Sequence, residues 1–197
     1  MSLNETIQTY LDRLAGMGWP VAEKLAPGIA PDEVDARLRE LGLSPDPELH
    51  AFWSAMNGIV EGDFTLDQMQ IFPGYYPLSI AEAVTAHQTG TGAVHGRSGE
   101  EDWPEHLFPI LADGMGDFFT VDLREAGGAG LPVWNHVEGF PPELRYASIR
   151  DFFGTATRGV EEGLIFLEEG RYLELDDEGF EDLERELNPD IPREDVE

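Results

Sequence analysis

The chain has 197 residues, of which 41% are hydrophobic and 26% are charged, a composition typical of a folded globular protein. Its 40 acidic and 12 basic residues give a net charge of −28, so we expect neither nucleic acid nor a membrane surface as a partner. The absence of cysteine excludes disulfides and thiolate zinc sites, and without an export signal or a run of about 18 apolar residues we expect a cytoplasmic protein.

Three helices are predicted in the N-terminal part of the chain. The first begins at Ser2 and Glu5, which have the spacing of a capping box, and continues with apolar residues at helical spacing. The second covers residues 31–41, where a proline suits the first turn. The third contains PELHAFWSAM, has one apolar face, and is predicted to end at Asn57-Gly58.

The middle of the chain changes from helical to strand patterns. Residues 69–76 are rich in β-formers, and a further helix is predicted from Ser79 to about Gln88, beginning with a second capping box. Residues 89–101 are glycine-rich and predict a loop. The runs LFPILA, DFFTVDL and LPVWNHV then predict a meander of three antiparallel strands.

An acidic segment follows the short helix predicted over SIRDFF. The run GLIFLEEGRYLELDDEG predicts a hairpin that turns at Glu169-Gly170, and FEDLEREL predicts an amphipathic helix. Residues 161–197 contain 16 acidic and three basic side chains, a net charge of −13. This last part of the chain therefore carries almost half of the excess negative charge.

Four features in this order resemble the SUKH superfamily of bacterial immunity proteins and fungal cell-wall-synthesis regulators. They are the helix that closes on Asn57-Gly58, Trp103 shortly before the strand FPI, the acidic hairpin DGMGD that runs into VDL, and the helix SIRDFF. The usual Leu-Pro before the third helix is replaced by PDP, and the acidic tail has no counterpart.

The resemblance implies an α+β fold, a single domain in which helices pack on one face of a mostly antiparallel sheet. We expect the SUKH-like domain at residues 31–154, preceded by an N-terminal helix and linker at 1–30. An acidic hairpin and helix extension follows at 155–197. The resemblance also implies a binding module without catalysis or a cofactor, because the bacterial members look like neutralisers of toxin domains, often nucleases or deaminases.

The hairpin DGMGDFFTVD raises the question of a carboxylate site. Asp113, Asp117 and Asp122 do not have the spacing of a calcium-binding loop. The favoured interpretation is a tight hairpin in which glycines adopt positive φ and aspartates accept hydrogen bonds from turn amides. A metal site is the alternative that this interpretation has to exclude.

Other catalytic patterns are weak. The five histidines are scattered, and Pro104 lies within the single i, i+4 pair that His106 could form with Asp102. Ser98 lacks the strand-turn-helix context of a nucleophile elbow, and neither glycine-rich segment resembles a phosphate loop. We therefore predict no catalytic residue, no metal and no cofactor.

Three functions follow, in order of preference. The first is a non-catalytic immunity-type protein that binds and neutralises a basic toxin domain of the nuclease or deaminase class, because opposite charges accelerate association. The second is a regulatory scaffold that binds other proteins, and the third is a metal-dependent hydrolase. Charge and aromatic character suggest as partner-binding residues Asp113, Asp117, Asp122, Trp103, Trp134, Glu168 and Glu169.

Overall fold

The computed structural model of the protein describes residues 1–92 and 103–193, which contain seven α-helices and seven strands. The helices are α1 (Leu3–Gly16), α2 (Pro31–Glu40), α3 (Pro47–Ala55), α4 (Leu66–Met69), α5 (Ile80–Gly92), α6 (Ile149–Glu162) and α7 (Asp177–Leu187). The strands are β1 (Tyr76–Pro77), β2 (Leu107–Ala112), β3 (Phe118–Asp122), β4 (Val133–His136), β5 (Glu143–Tyr146), β6 (Ile165–Glu168) and β7 (Tyr172–Leu175). None of these helices is long and apolar enough to cross a membrane.

The two predicted capping boxes are both present. The side chains of Ser2 and Glu5 each bond the backbone N–H of the other, and this reciprocal capping box opens α1. Ser79 and Glu82 make the same pair of hydrogen bonds at the start of α5. Both caps satisfy amide groups that a helix N-terminus leaves without partners.

Strands β1 to β5 form one antiparallel sheet in that order, and β6 and β7 form a separate hairpin. In β3, Phe119 and Val121 belong to the core on one face, so Phe118, Thr120 and Asp122 point to the opposite face. We call the first the inner face and the second the outer face. The three predicted meander strands are confirmed as β2, β3 and β4.

Helices α1, α3 and α6 pack against one another beside the inner face, and their aromatic side chains fill the core. Phe152 contacts Phe72, Phe119 and Tyr146, with ring centroids 5.2 Å apart in each pair. Such edge and tilted contacts add to the stabilisation from apolar burial. The predicted α+β fold, a single domain with helices packed on one face of a mostly antiparallel sheet, is confirmed.

The end of α3 differs from the sequence prediction. The helix stops at Ala55, and Met56 already has an extended backbone. Gly58 adopts the expected positive φ of 78°, but a Cβ there would lie 2.7 Å from the backbone nitrogen of Ser79. The glycine is therefore required for the close approach of two segments as well as for backbone conformation.

Local details of the sheet also differ from the predictions. Residues 69–76 contain little strand, because α4 ends at Met69 and β1 has only two residues. Strand β5 was not predicted, and it extends the meander by one strand. Helix α5 continues to Gly92, which includes the first residues of the predicted loop at 89–101; the rest of that loop lies outside the described residues.

Helix α6 is longer than the predicted SIRDFF helix and runs without a break to Glu162. It crosses the expected domain boundary between residues 154 and 155, and its buried Ala156 and Gly159 lie beyond that boundary. The Cβ that Gly159 lacks would lie 2.6 Å from the ring of Phe180 in α7. The acidic extension is thus packed onto the helix that also covers the sheet.

A buried carboxylate joins α7 to the sheet. Glu184 is only 1% exposed and accepts hydrogen bonds from the hydroxyl of Tyr146 and from the guanidinium groups of Arg145 and Arg193. Nearby, the side-chain amide of Asn188 donates to the hydroxyl of Thr155 at 3.1 Å. These buried polar contacts fix α7 against both β5 and α6.

Candidate protein-binding site

The carboxylate of Asp113 organises the turn between β2 and β3. Its Oδ1 atom accepts hydrogen bonds from the backbone N–H groups of Met115, Gly116 and Asp117 at 2.7, 3.0 and 2.9 Å. Gly114 and Gly116 have φ values of 84° and 128°, in the left-handed region that favours glycine. The acidic turn therefore satisfies its own backbone, as the hairpin interpretation predicted.

Asp117 ties this turn to the loop that follows β4. Its Oδ1 atom accepts from the backbone N–H of Glu138 at 2.9 Å. Both turn aspartates therefore use carboxylate oxygens within the protein. Across the described residues, no group of three or more His, Cys, Asp or Glu side chains has an arrangement that could hold a metal ion.

Asp122 lies at the other end of β3 and is almost fully buried. It accepts three side-chain hydrogen bonds from Arg124, one from Nη2 at 2.6 Å and two from Nε at 3.0 and 3.2 Å, and a fourth from the Arg124 backbone N–H at 2.9 Å. Burial alone would raise the pKa of Asp122, but the hydrogen bonds from Arg124 outweigh it and hold the pKa below its ordinary value of 3.8. Asp122 is therefore an ionised structural partner of Arg124.

Trp103 and Trp134 both lie on the outer face. Trp103 stacks on His136 at 4.3 Å and donates its ring N–H to the carbonyl of Leu107 at 2.9 Å. Trp134 is opposite Thr120 in the sheet and is partly buried, and its ring N–H has no partner among the described residues. Burial lowers the pKa of His136, which favours the neutral ring in this stack.

One cavity brings two of the predicted residues together. It has a volume of about 560 Å³, and Trp134 and Asp122 line it together with Arg124, Arg150 and Asp151. Asp113 and Asp117 lie at the opposite end of β3, on the turn side. Of the predicted partner-binding residues, Asp122 and Trp134 therefore line the same cavity, whereas Asp113 and Asp117 lie at the other end of the strand.

Glu168 and Glu169 lie elsewhere. They are on the hairpin of β6 and β7, which packs on α6 and α4 rather than on the outer face. Glu169 is the one non-glycine residue with positive φ among the described residues, and with Gly170 it forms the predicted turn. The seven predicted partner-binding residues therefore lie in two separate regions of the molecule, and Asp122 is buried in one of them.

The profile of the SMI1 / KNR4 family (SUKH-1) matches residues 28–155, from just before α2 into α6. The chain belongs to this family. The resemblance that the sequence predicted is confirmed. No curated protein matched the sequence. The SUKH-1 region contains the five-stranded sheet, whereas α1, the second half of α6 and the acidic hairpin and helix lie outside it.

Two aromatic residues outside the SUKH-1 region were missed by sequence reasoning. Phe166 is 39% exposed and Tyr172 is 42% exposed, on facing strands of the acidic hairpin. The sequence feature that could have identified them is the alternation in IFLE and YLEL, because every second residue of a strand points away from the core. Together with Glu168 and Glu169, they give the hairpin both aromatic and acidic exposed groups.

Proposed function

We propose that this protein is a non-catalytic, immunity-type member of the SUKH-1 family that binds and neutralises a basic toxin domain of the nuclease or deaminase class. The family suggests a protein partner, and the charge of −28 favours a basic one. The carboxylates of Asp113, Asp117 and Asp122 support a structural role rather than catalysis, since each already binds backbone or arginine N–H groups.

The observation that carries the proposal is the firm attachment of an acidic unit to a SUKH-1 domain. Helix α6 is shared between the two parts, and the buried Glu184 connects α7 to the sheet. Within this unit Glu168, Glu174 and Asp177 are exposed and form no ion pair with a described residue. A fixed array of free carboxylates attracts a cationic surface and orients it before contact.

Neutralisation would follow from two successive interactions. The acidic unit would steer the partner at long range, where the rate depends on ionic strength because salt screens exposed charges within about 8 Å at physiological strength. A desolvated aromatic residue would then slow dissociation. Trp134 is our candidate on the outer face because it lines a cavity and its ring N–H has no partner among the residues that the structure describes. Covering its catalytic groove would inactivate an enzyme that acts on polyanionic substrates.

The test begins with capture of the partner from the native lysate by the full chain. We expect a basic protein that stops growth when expressed alone and is tolerated when this chain is co-expressed. Association rates should fall as salt increases, while dissociation rates change less. Trp134→Ala should raise the dissociation rate, and the tail variant Glu186→Gln/Asp190→Asn should leave it near the wild-type value.

An acidic partner, or an association rate that does not respond to salt, would contradict charge-steered neutralisation. A partner without toxicity would favour the regulatory scaffold instead. Hydrolytic activity in the purified chain that requires an added metal ion would favour the metal-dependent hydrolase.

A further inference from the structure

The exposed side of the acidic hairpin has an ordered pattern of side chains. Ile165 and Leu173 are buried beneath it, whereas Phe166, Glu168, Tyr172 and Glu174 are exposed. We call these four exposed residues the hairpin face.

In the β6–β7 register, Phe166 is opposite Glu174, and Tyr172 is opposite Glu168. Each aromatic ring therefore has a carboxylate directly across from it, and the two rings are diagonal neighbours. Residues directly opposite in an antiparallel pair are about 5 Å apart at Cβ, and diagonal neighbours are about 7 to 8 Å apart. The face thus repeats one motif, an aromatic ring beside a carboxylate, at two adjacent positions.

The charges of the hairpin face are not compensated within the part of the chain that the structure describes. Neither Glu168 nor Glu174 forms an ion pair with a described residue, and the hairpin's Arg171 pairs instead with Glu169 at 3.5 Å. A shallow cavity of about 290 Å³ adjoins Tyr172 and Glu174, and its other charged lining residues are Asp67 and Asp177. The charged side chains that a ligand would meet on the hairpin face and in this cavity are therefore all acidic.

The hairpin is held in place before any ligand binds. The backbone N–H of Asp176 donates to the carbonyl of Leu164, and that of Leu164 donates to Gly159 in α6, both at 2.8 Å. Ile165 and Leu173 pack into the core beneath the exposed face. A preformed surface loses little conformational entropy on binding, so weak individual contacts retain more of their free energy.

We propose that the hairpin face binds arginine side chains of a basic protein partner. This proposal rests on the proposed function, which supplies the cationic partner, and it names the surface and the side chain that would be recognised. A guanidinium group can stack its plane on an aromatic ring and donate two hydrogen bonds to a neighbouring carboxylate. The ammonium group of lysine can pair with the carboxylate but offers no planar fork, so arginine fits this motif better.

The experiment compares two labelled peptides of equal charge, one with alternating arginine and serine and the other with lysine in place of arginine. Binding to the full chain is measured by fluorescence anisotropy at several salt concentrations. We expect the arginine peptide to bind at least about threefold more tightly than the lysine peptide. The double variant Phe166→Leu/Tyr172→Leu keeps apolar exposed groups but should bind the arginine peptide about five- to tenfold more weakly.

A second pair of variants separates the hairpin face from the general negative charge. Glu168→Gln/Glu174→Gln and Glu186→Gln/Asp190→Asn each remove two exposed acidic charges from the C-terminal part of the chain. Only the first pair should abolish the preference for arginine. Because all of these residues are exposed, melting temperatures should stay near the wild-type value, and a melt of each variant checks this.

The outcomes distinguish this inference from the proposed function. Equal affinity for both peptides, or equal losses in the two acidic variants, would overturn the arginine site and leave only general charge attraction. If the captured toxin is neutralised equally well by Phe166→Leu/Tyr172→Leu, the hairpin face is not its binding surface although the proposed function stands. If arginine preference depends on the hairpin face but no basic toxin is captured, the site stands and the proposed function fails.

Discussion

At the scale of single residues, the acidic turn is explained by the hydrogen bonds of one oxygen atom. Asp113→Ala removes the acceptor for three backbone N–H groups, so we expect the free energy of unfolding to fall by about 1 to 3 kcal/mol. Urea denaturation measures this change. The control is Asp63→Ala, which removes an exposed acidic residue from a loop and should change stability by less than about 0.5 kcal/mol.

The same residue decides whether the turn holds a metal ion. A structural Asp113 predicts that millimolar Ca²⁺ or Zn²⁺ leaves the melting temperature of the wild type unchanged, whereas a bound ion in excess stabilises the folded state by several kcal/mol. A saturable increase in melting temperature that Asp113→Ala abolishes would show that the turn is a metal site.

The pairing of Asp122 with Arg124 predicts a specific dependence of stability on pH. The pKa of Asp122 is lower in the folded protein than its ordinary value of 3.8, so the unfolded chain binds more protons between the two values. The stabilisation is complete above about pH 5 and is lost as the pH falls through the folded pKa. The stability difference between the wild type and Arg124→Gln should therefore be constant above about pH 5 and shrink below pH 4.

Arg171→Gln is the matched control for this measurement. It removes the same charge from an arginine whose side chain is 71% exposed and whose partner Glu169 is 69% exposed. Such a pair contributes little to stability. If both variants show the same change with pH, the effect comes from net charge and not from the buried Asp122.

At the scale of elements, local sequence signals predicted the starts of helices well. Ser2 and Ser79 form the caps that their spacing indicated, because a cap depends on residues only three positions apart. Strand β5 was missed because ELRY is short, half polar and preceded by two prolines, and it is fixed by pairing with β4. Tertiary context decided this element, as it often does for short strands.

Tertiary contacts also determine the length of α6 and the hydrogen-bond partners of the carboxylates in the candidate site. After Phe153 the sequence contains Gly154 and Gly159, which disfavour a helix locally, yet Ala156 and Gly159 are buried in tight packing. The sequence identified Asp113 and Asp122 as notable acids. It also predicted that turn amides bind the carboxylate of Asp113, but it could not reveal that Arg124 binds the carboxylate of Asp122, because that contact depends on folded geometry.

Because α6 is shared, we expect the acidic extension to be required for folding. A chain that ends at Gly163 lacks the hairpin and α7, which leaves Tyr146 and Arg145 without Glu184 and exposes the apolar surface beneath Phe180 and Leu183. It should show no cooperative thermal transition by circular dichroism. A chain that ends at Arg193 keeps all of these contacts and should melt like the full chain.

Glu184→Gln is a smaller change that tests the same connection. It leaves the side chains of Arg145 and Arg193 beside a neutral group. The loss of one partner from a buried ion pair lowers the free energy of unfolding by about 3 to 5 kcal/mol. Glu186→Gln changes an exposed residue of the same helix and should have little effect on the free energy of unfolding.

A stable, cooperatively folding chain that ends at Gly163 would contradict both expectations and show that the extension is a separate module.

At the scale of the whole molecule, a net charge of −28 opposes compaction through self-repulsion. Raising NaCl from 10 mM to 1 M shortens the screening length from about 30 to about 3 Å. We expect the melting temperature to rise by about 3 to 6 °C, which corresponds to about 1 to 2 kcal/mol for a protein of this size. Most of this rise should occur below about 0.2 M salt.

Potassium chloride at equal concentration separates ionic strength from the binding of a specific ion. Both salts should give the same curve if screening is responsible. A melting temperature that stays constant or falls with added salt would mean that attraction between neighbouring charges outweighs repulsion over the whole surface.

The position of Glu184 late in the chain affects the order in which the protein can fold during synthesis. Tyr146 precedes its buried partner Glu184 by 38 residues, so the ribosome adds Glu184 about 2 to 8 s after Tyr146 at ordinary rates of translation. During that interval the residues of the five-stranded sheet have been synthesised, but neither the carboxylate that pairs with Arg145 nor the helix α7 that packs on α6 has been made. The nascent chain therefore completes its core only after α7 has been synthesised, and a ribosome that stalls before α7 holds a protein whose core is incomplete.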